Sequence, residues 1–207
     1  MQKSKVVYFK SADYFSFLKE GYPFFIMYLA YIIGMILGVS FYKSKAISPQ
    51  IISNFLITDI AGFSFAEVFF NFLLKWAPIA ALIWLFGMCS VGSAIIPLLI
   101  CTKGIEYGML AGYVCSSFSV NGIVYLLILI IPSSLLSIFS LFFAGKNSFI
   151  FSIKIFKILL PQSHSEYLHS HFVIFCKRML LYLLILIIAA FLHTVLATAF
   201  AGTIKLI

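Results

Sequence analysis

The sequence predicts an all-α, polytopic transmembrane helix bundle of about five spans, and three observations carry that prediction. The first concerns solvent: 63% of the 207 residues are hydrophobic and only 10% are charged. A soluble domain carries about 25% charged residues to hydrate its surface, so a chain this poor in charge has lipid as its solvent. The second is segmentation, since uncharged apolar runs recur near the roughly 20 residues that one span needs. The third is charge placement: the basic residues stand mostly at the ends of those runs, where topology signals sit. A net charge of +8 in a soluble chain would raise nucleic acid as a partner. Here the lysines fall where lipid headgroups do, so the expected partner is the lipid bilayer, with no nucleic acid.

The first nineteen residues hold Lys3, Lys5, Lys10 and Lys19 against Asp13 and show no small-residue cleavage site. The first apolar run is therefore expected to stay as a span, at about 22–42. Gly34 and Gly38 in its interior form a small-xxx-small pair that lets a neighbouring helix come close, and that offers a homo-oligomer face. A mixed stretch follows, with an amphipathic segment at about 60–75. In it Glu67, Asn71 and Lys75 stand at i, i+4 and i+8 and form one polar stripe. That stripe reads as the wet side of an interfacial helix, and Glu67 and Asn71 as candidates for partner docking.

No charge occurs between Lys75 and Lys103, which predicts a second span at about 77–101. The next uncharged region is too long for one helix. Asn121-Gly122 is a strong turn signal, so the reading is a hairpin with spans at about 104–119 and 122–144. The third span reaches only roughly 24 Å at 1.5 Å per residue, short of a roughly 30 Å hydrocarbon core, so it thins the bilayer or re-enters. Lys154 and Lys157 lie three apart among Phe, Ile and Leu, the pattern of an interfacial amphipathic helix at about 149–160. The last span is about 179–202. With the N-terminus cytoplasmic, ten basic residues from Lys3 to Arg178 fall inside. Only Lys43, Lys45, Lys75 and Lys205 fall outside, and this asymmetry sets an N-in, C-out topology.

Gly104, Gly108 and Gly112 repeat every fourth residue and form a packing seam. Ser133, Ser137 and Ser140 share a face of the fourth span, just after Pro132, and read as packing serines opposite that seam. Glu106 lies three residues from Lys103, and a local ion pair at a membrane boundary accounts for it. His193 stands inside the last span without a second acid, which makes a poor proton relay and favours packing. His164, His169 and His171 match no metal-ligand spacing, and the four cysteines have no C-x-x-C pattern, so neither metal nor cofactor is expected. Neither H-E-x-x-H, G-x-S-x-G nor a Walker loop occurs, and no enzyme activity is expected.

The order of these features carries a resemblance. Phe65-Ala66-Glu67-Val68-Phe69-Phe70-Asn71-Phe72 leads into a span with Gly87 and Gly92. Lys103-Gly104-Ile105-Glu106-Tyr107-Gly108 opens the next, and Ile131-Pro132 interrupts the one after. Over roughly residues 60–145 the chain resembles the stage II sporulation protein M family of small bacterial membrane proteins. Many members carry a Pro-His and a glutamate in the fourth span, where this chain has Ser133 and Ser137. The resemblance implies a non-enzymatic scaffold in the bacterial cell membrane. Such a scaffold holds extracytoplasmic peptidoglycan hydrolases during forespore engulfment, and Glu67, Asn71 and Asn121 would lie toward those partners. The rival from the residues alone is a small transporter or channel subunit, resting on the glycine and serine seams and His193.

Overall fold

The computed structural model describes residues 11–44, 64–125, 127, 130–158 and 168–200. Among them are five α-helices: α1 (Ser11–Lys43), α2 (Phe65–Gly87), α3 (Gly92–Tyr125), α4 (Ile131–Ile158) and α5 (Leu168–Phe200). Each contains a stretch long and apolar enough to cross a membrane: Gly21–Lys43, Phe65–Gly87, Gly92–Ser116, Ile131–Phe156 and His171–Ala199. The helices alternate in direction. Phe24 near the start of the α1 span meets Phe142 and Phe143 of α4, and Gly87 at the end of α2 lies against Ser148 of α4 and Phe175 of α5. The all-α bundle of five spans is therefore present, and the protein is a multi-pass membrane protein.

Large apolar side chains cover the outside, among them Phe25, Ile36, Leu74, Leu98, Leu184 and Phe191. That arrangement suits lipid, which has no hydrophobic penalty to impose on them. Trp76, Met27, Ile83, Ile96, Ile100 and Leu186 fill the interior, together with serines of α4. Pro23, Pro78 and Pro97 sit inside helices, which membrane helices tolerate because neighbouring groups re-satisfy the freed carbonyls.

The span boundaries differ from expectation in the middle of the chain. Residues 65–75 are not an interfacial helix but the first half of a full span, and the 77–101 run is cut by a tight turn at residues 88–91. The amides of Met88, Cys89 and Gly92 donate to the carbonyls of Leu85, Phe86 and Cys89 there. Ser152 of α4 clamps the turn, donating to Cys89 O at 2.7 Å while its oxygen accepts from the Ser93 amide at 2.9 Å. The third span begins at Gly92, so it is a complete crossing in length, not a short or re-entrant one. Helix α3 continues through Asn121 and Gly122 to Tyr125, so the expected turn there is absent. Residues 149–158 likewise continue α4 instead of lying apart from it. The last helix starts about three turns earlier than 179 and takes in Lys177 and Arg178. Positions 60–63 and 159–160 of the two expected amphipathic segments, and His164, lie outside the described residues.

Candidate functional site

The site is built where α2 and α3 bring charge into the apolar interior. Helix α2 is started by a reciprocal cap: Ser64 Oγ accepts from the Glu67 amide at 3.4 Å, and Glu67 Oε2 accepts from the Ser64 amide at 2.8 Å. Two of the unpaired amides of a helix start are satisfied this way. Glu67 is exposed, and Asn71 and Lys75 are half-buried. The stripe seen in the sequence thus descends from the end of the bundle into its body. Lys75 stands one residue from the midpoint of the Phe65–Gly87 span, at residue 76.

At that depth it meets α3. Lys103 is 3% exposed, and its Nζ donates to Glu106 Oε2 at 2.6 Å and to the Lys75 carbonyl at 2.7 Å. The same ammonium lies 5.0 Å from the centre of the Trp76 ring, over the negative face of its π system. Among the described residues this is the only ion pair. The ion pair expected from the i, i+3 spacing is present, yet it sits near the midpoint of the Gly92–Ser116 span and not at a membrane boundary. Lys75 lies within electrostatic reach of both Glu106 and Lys103. Charges at mid-membrane depth are costly unless paired, so here the fold supplies a carboxylate, a carbonyl and an aromatic face to one ammonium.

A second polar line runs along α4. Ser133 Oγ is 3.0 Å from His193 Nδ1, and the imidazole stacks on Phe72 with ring centres 4.5 Å apart. Ser137 donates back to the Ser133 carbonyl at 3.1 Å, and Ser140 to the Tyr182 carbonyl of α5 at 2.8 Å. Pro132, before this line, is exposed. The serine face thus meets α5, not the glycine seam. That seam is taken by α1: a Cβ on Gly104 would lie 3.0 Å from Gly34 Cα, and one on Gly38 would lie 3.0 Å from Gly108 Cα. Gly112 receives the ring of Tyr42. Gly34 and Gly38 are consequently covered within the chain, which corrects their reading as a homo-oligomer face. The side chain of Asn121 lies outside those the structure describes. No group of three His, Cys, Asp or Glu residues able to hold a metal ion occurs among the described residues.

A family model described as Stage II sporulation protein M matches residues 24–198. The chain belongs to that family. The match takes in all of α2, α3 and α4 and most of α1 and α5, so it extends the resemblance read at 60–145 toward both ends. No curated protein and no solved structure matches the chain closely enough to count as a relative. Membership makes this a sporulation-related membrane protein, and the Lys75–Lys103–Glu106 cluster and the Ser133–His193 pair lie within the family region. In the sequence Lys75 and Lys103 read as punctuation between spans. The signal that they are interior was the tryptophan beside Lys75 and the carboxylate one helical turn after Lys103.

Proposed function

We propose that this protein is a non-enzymatic scaffold of the bacterial cell membrane. Its N-terminus is cytoplasmic, and it anchors extracytoplasmic peptidoglycan-remodelling partners as in forespore engulfment. The observation that carries the reading is the family match over residues 24–198. The N-terminal end of α2 supports it, because Glu67 and the exposed rings of Phe65 and Phe70 present a charge beside an apolar rim there. Under the N-in orientation this end faces the cell wall. Glu67→Gln keeps an acceptor for the Ser64 amide and so keeps the cap, while Asn71→Leu removes the next polar group of the stripe. If the double variant inserts at normal level yet still co-purifies wall hydrolases and still localises at the septum, the docking reading fails.

One observation favours a second reading, a small transporter: the Lys103–Glu106 pair at mid-membrane depth, its lysine buried and its carboxylate partly accessible, approached by the Glu67–Asn71–Lys75 stripe. Its signature is solute or proton flux through proteoliposomes that is lost in Glu106→Gln or His193→Leu. Flux indistinguishable from empty liposomes, in protein that retains wall partners, leaves the scaffold standing alone.

A further inference from the structure

The far end of α4 and the start of α5 carry a feature that neither the scaffold nor the transport reading uses. A cavity of about 290 Å³ opens between the two helices, lined by Asn147, Lys154, His171 and Arg178 and floored by Phe151 and Phe175. Its size is at the lower end of ligand sites, which span roughly 300–1,000 Å³. Its floor is rigid: the rings of Phe151 and Phe175 stack with centres 4.4 Å apart and are buried. Its polar wall is pre-set as well. Asn147 donates to the Phe143 carbonyl at 3.0 Å and to the Tyr182 hydroxyl, which turns its carbonyl oxygen to accept from Arg178 at 3.2 Å. The guanidinium, which has five N–H donors, keeps several free for a further acceptor.

Lys154 and Arg178 bring donors only, His171 adds a ring N–H, and all three are exposed. The single ion pair among the described residues lies elsewhere, in Lys103–Glu106, so no described carboxylate neutralises this cluster. The cavity lies two residues from the end of the Ile131–Phe156 span at Lys154, and His171 opens the His171–Ala199 span. The mouth of the cavity is thus at headgroup depth, and from there it runs inward to Arg178, seven residues into the second of these spans. Exposed Phe172, Val173 and Ile174 continue the surface of α5 beside it and offer an apolar track for acyl chains. We infer that this cavity is a binding site for the phosphate headgroup of an anionic phospholipid. Arg178 and Lys154 clasp the phosphate, His171 stands at its rim, and the acyl chains lie along α5. Arginine's planar fork suits phosphate in two-point contact, and basic pockets between membrane helices hold such headgroups elsewhere.

The test uses the full chain in detergent, with native mass spectrometry after addition of cardiolipin, phosphatidylglycerol, phosphatidylcholine or inorganic phosphate. Retention of the two anionic lipids over phosphatidylcholine by about tenfold is expected. That preference should fall to near unity in Lys154→Gln/Arg178→Gln but persist in Lys43→Gln, an exposed lysine at the end of α1. Equal preference in all three proteins reduces the effect to net charge and overturns the site. Displacement of the lipid by millimolar inorganic phosphate, with the same sensitivity to Arg178, assigns the cavity to a free anion and overturns the lipid. A phosphatidylglycerol bearing a photoreactive headgroup tests wild-type protein without substitution. Crosslinks are expected in peptides covering 147–154 and 171–178, and crosslinks confined elsewhere also sink the inference.

Discussion

Lys103 shows how one side chain can be tolerated where the surrounding solvent is hydrocarbon. Its ammonium meets a carboxylate, a carbonyl and an indole face, all within one helix pair. Removing one partner of such a pair costs more than removing both, because the remaining charge stays buried and uncompensated. Lys103→Met should therefore lower the unfolding free energy in detergent by roughly 3 kcal/mol. Glu106 is 27% exposed, which holds the effect at the low end of the range. Lys103→Met/Glu106→Leu should recover most of that loss. A double variant as unstable as the single one would show that the pair matters for attachment to Lys75 and Trp76 and not for charge balance. The sequence made the pair itself legible through its i, i+3 spacing. Its depth was hidden, because burial of a lysine depends on a carbonyl contributed by a helix 28 residues away in sequence.

Helices α1 and α3 bind through glycine rather than through large side chains. A Cβ on Gly34 would fall on the carbonyl oxygen of Cys101, and one on Gly108 on that of Met35. With lipid outside, no hydrophobic force drives these helices together, so close backbone approach and dispersion must do it. Gly34→Ala is expected to force the pair apart and to cost about 1–3 kcal/mol, the usual range for overpacking. Gly21→Ala, in the same helix, meets nothing within 4 Å. It should be neutral or stabilise by up to about 1 kcal/mol through helix propensity. Thermal unfolding of the two variants side by side separates these effects, and equal shifts would deny that the seam is a close contact. Each four-residue repeat was visible in the sequence as a packing device. Which repeat met which was not, because periodicity marks a face without naming its neighbour. The turn at residues 88–91 was missed for a related reason: it carries no charge, and its clamp, Ser152, comes from α4.

The five-span count followed from composition, but the assignment of loops to membrane sides depended on where the spans end. Lys75 and Lys103, read as flanking charges, lie near mid-membrane and drop out of the orientation argument. What remains still leans one way. Lys3, Lys5, Lys10 and Lys19 precede the first span in sequence, and Lys154 and Lys157 stand at the end of α4, on the side of the bundle where that span starts. Lys43 ends α1 at the other side, and in sequence Lys45 follows α1 and Lys205 follows α5. The excess supports the same N-in orientation, now with the short turn of residues 88–91 on the cytoplasmic side. Cys89 in that turn is exposed and reports on it directly. In a variant where Cys101, Cys115 and Cys176 are replaced by alanine, a membrane-impermeant maleimide should leave Cys89 unlabelled in intact cells and label it in inverted vesicles. A companion variant that adds Ser64→Cys and replaces Cys89 by alanine should show the reverse, because Ser64 caps the opposite end of α2. Labelling of Cys89 from outside would invert the bundle, placing the α4–α5 cavity in the outer leaflet and the Ser64 end of α2 in the cytoplasm. The wall-docking role of Glu67 would then be lost, while the lipid site would keep its chemistry and change only its leaflet.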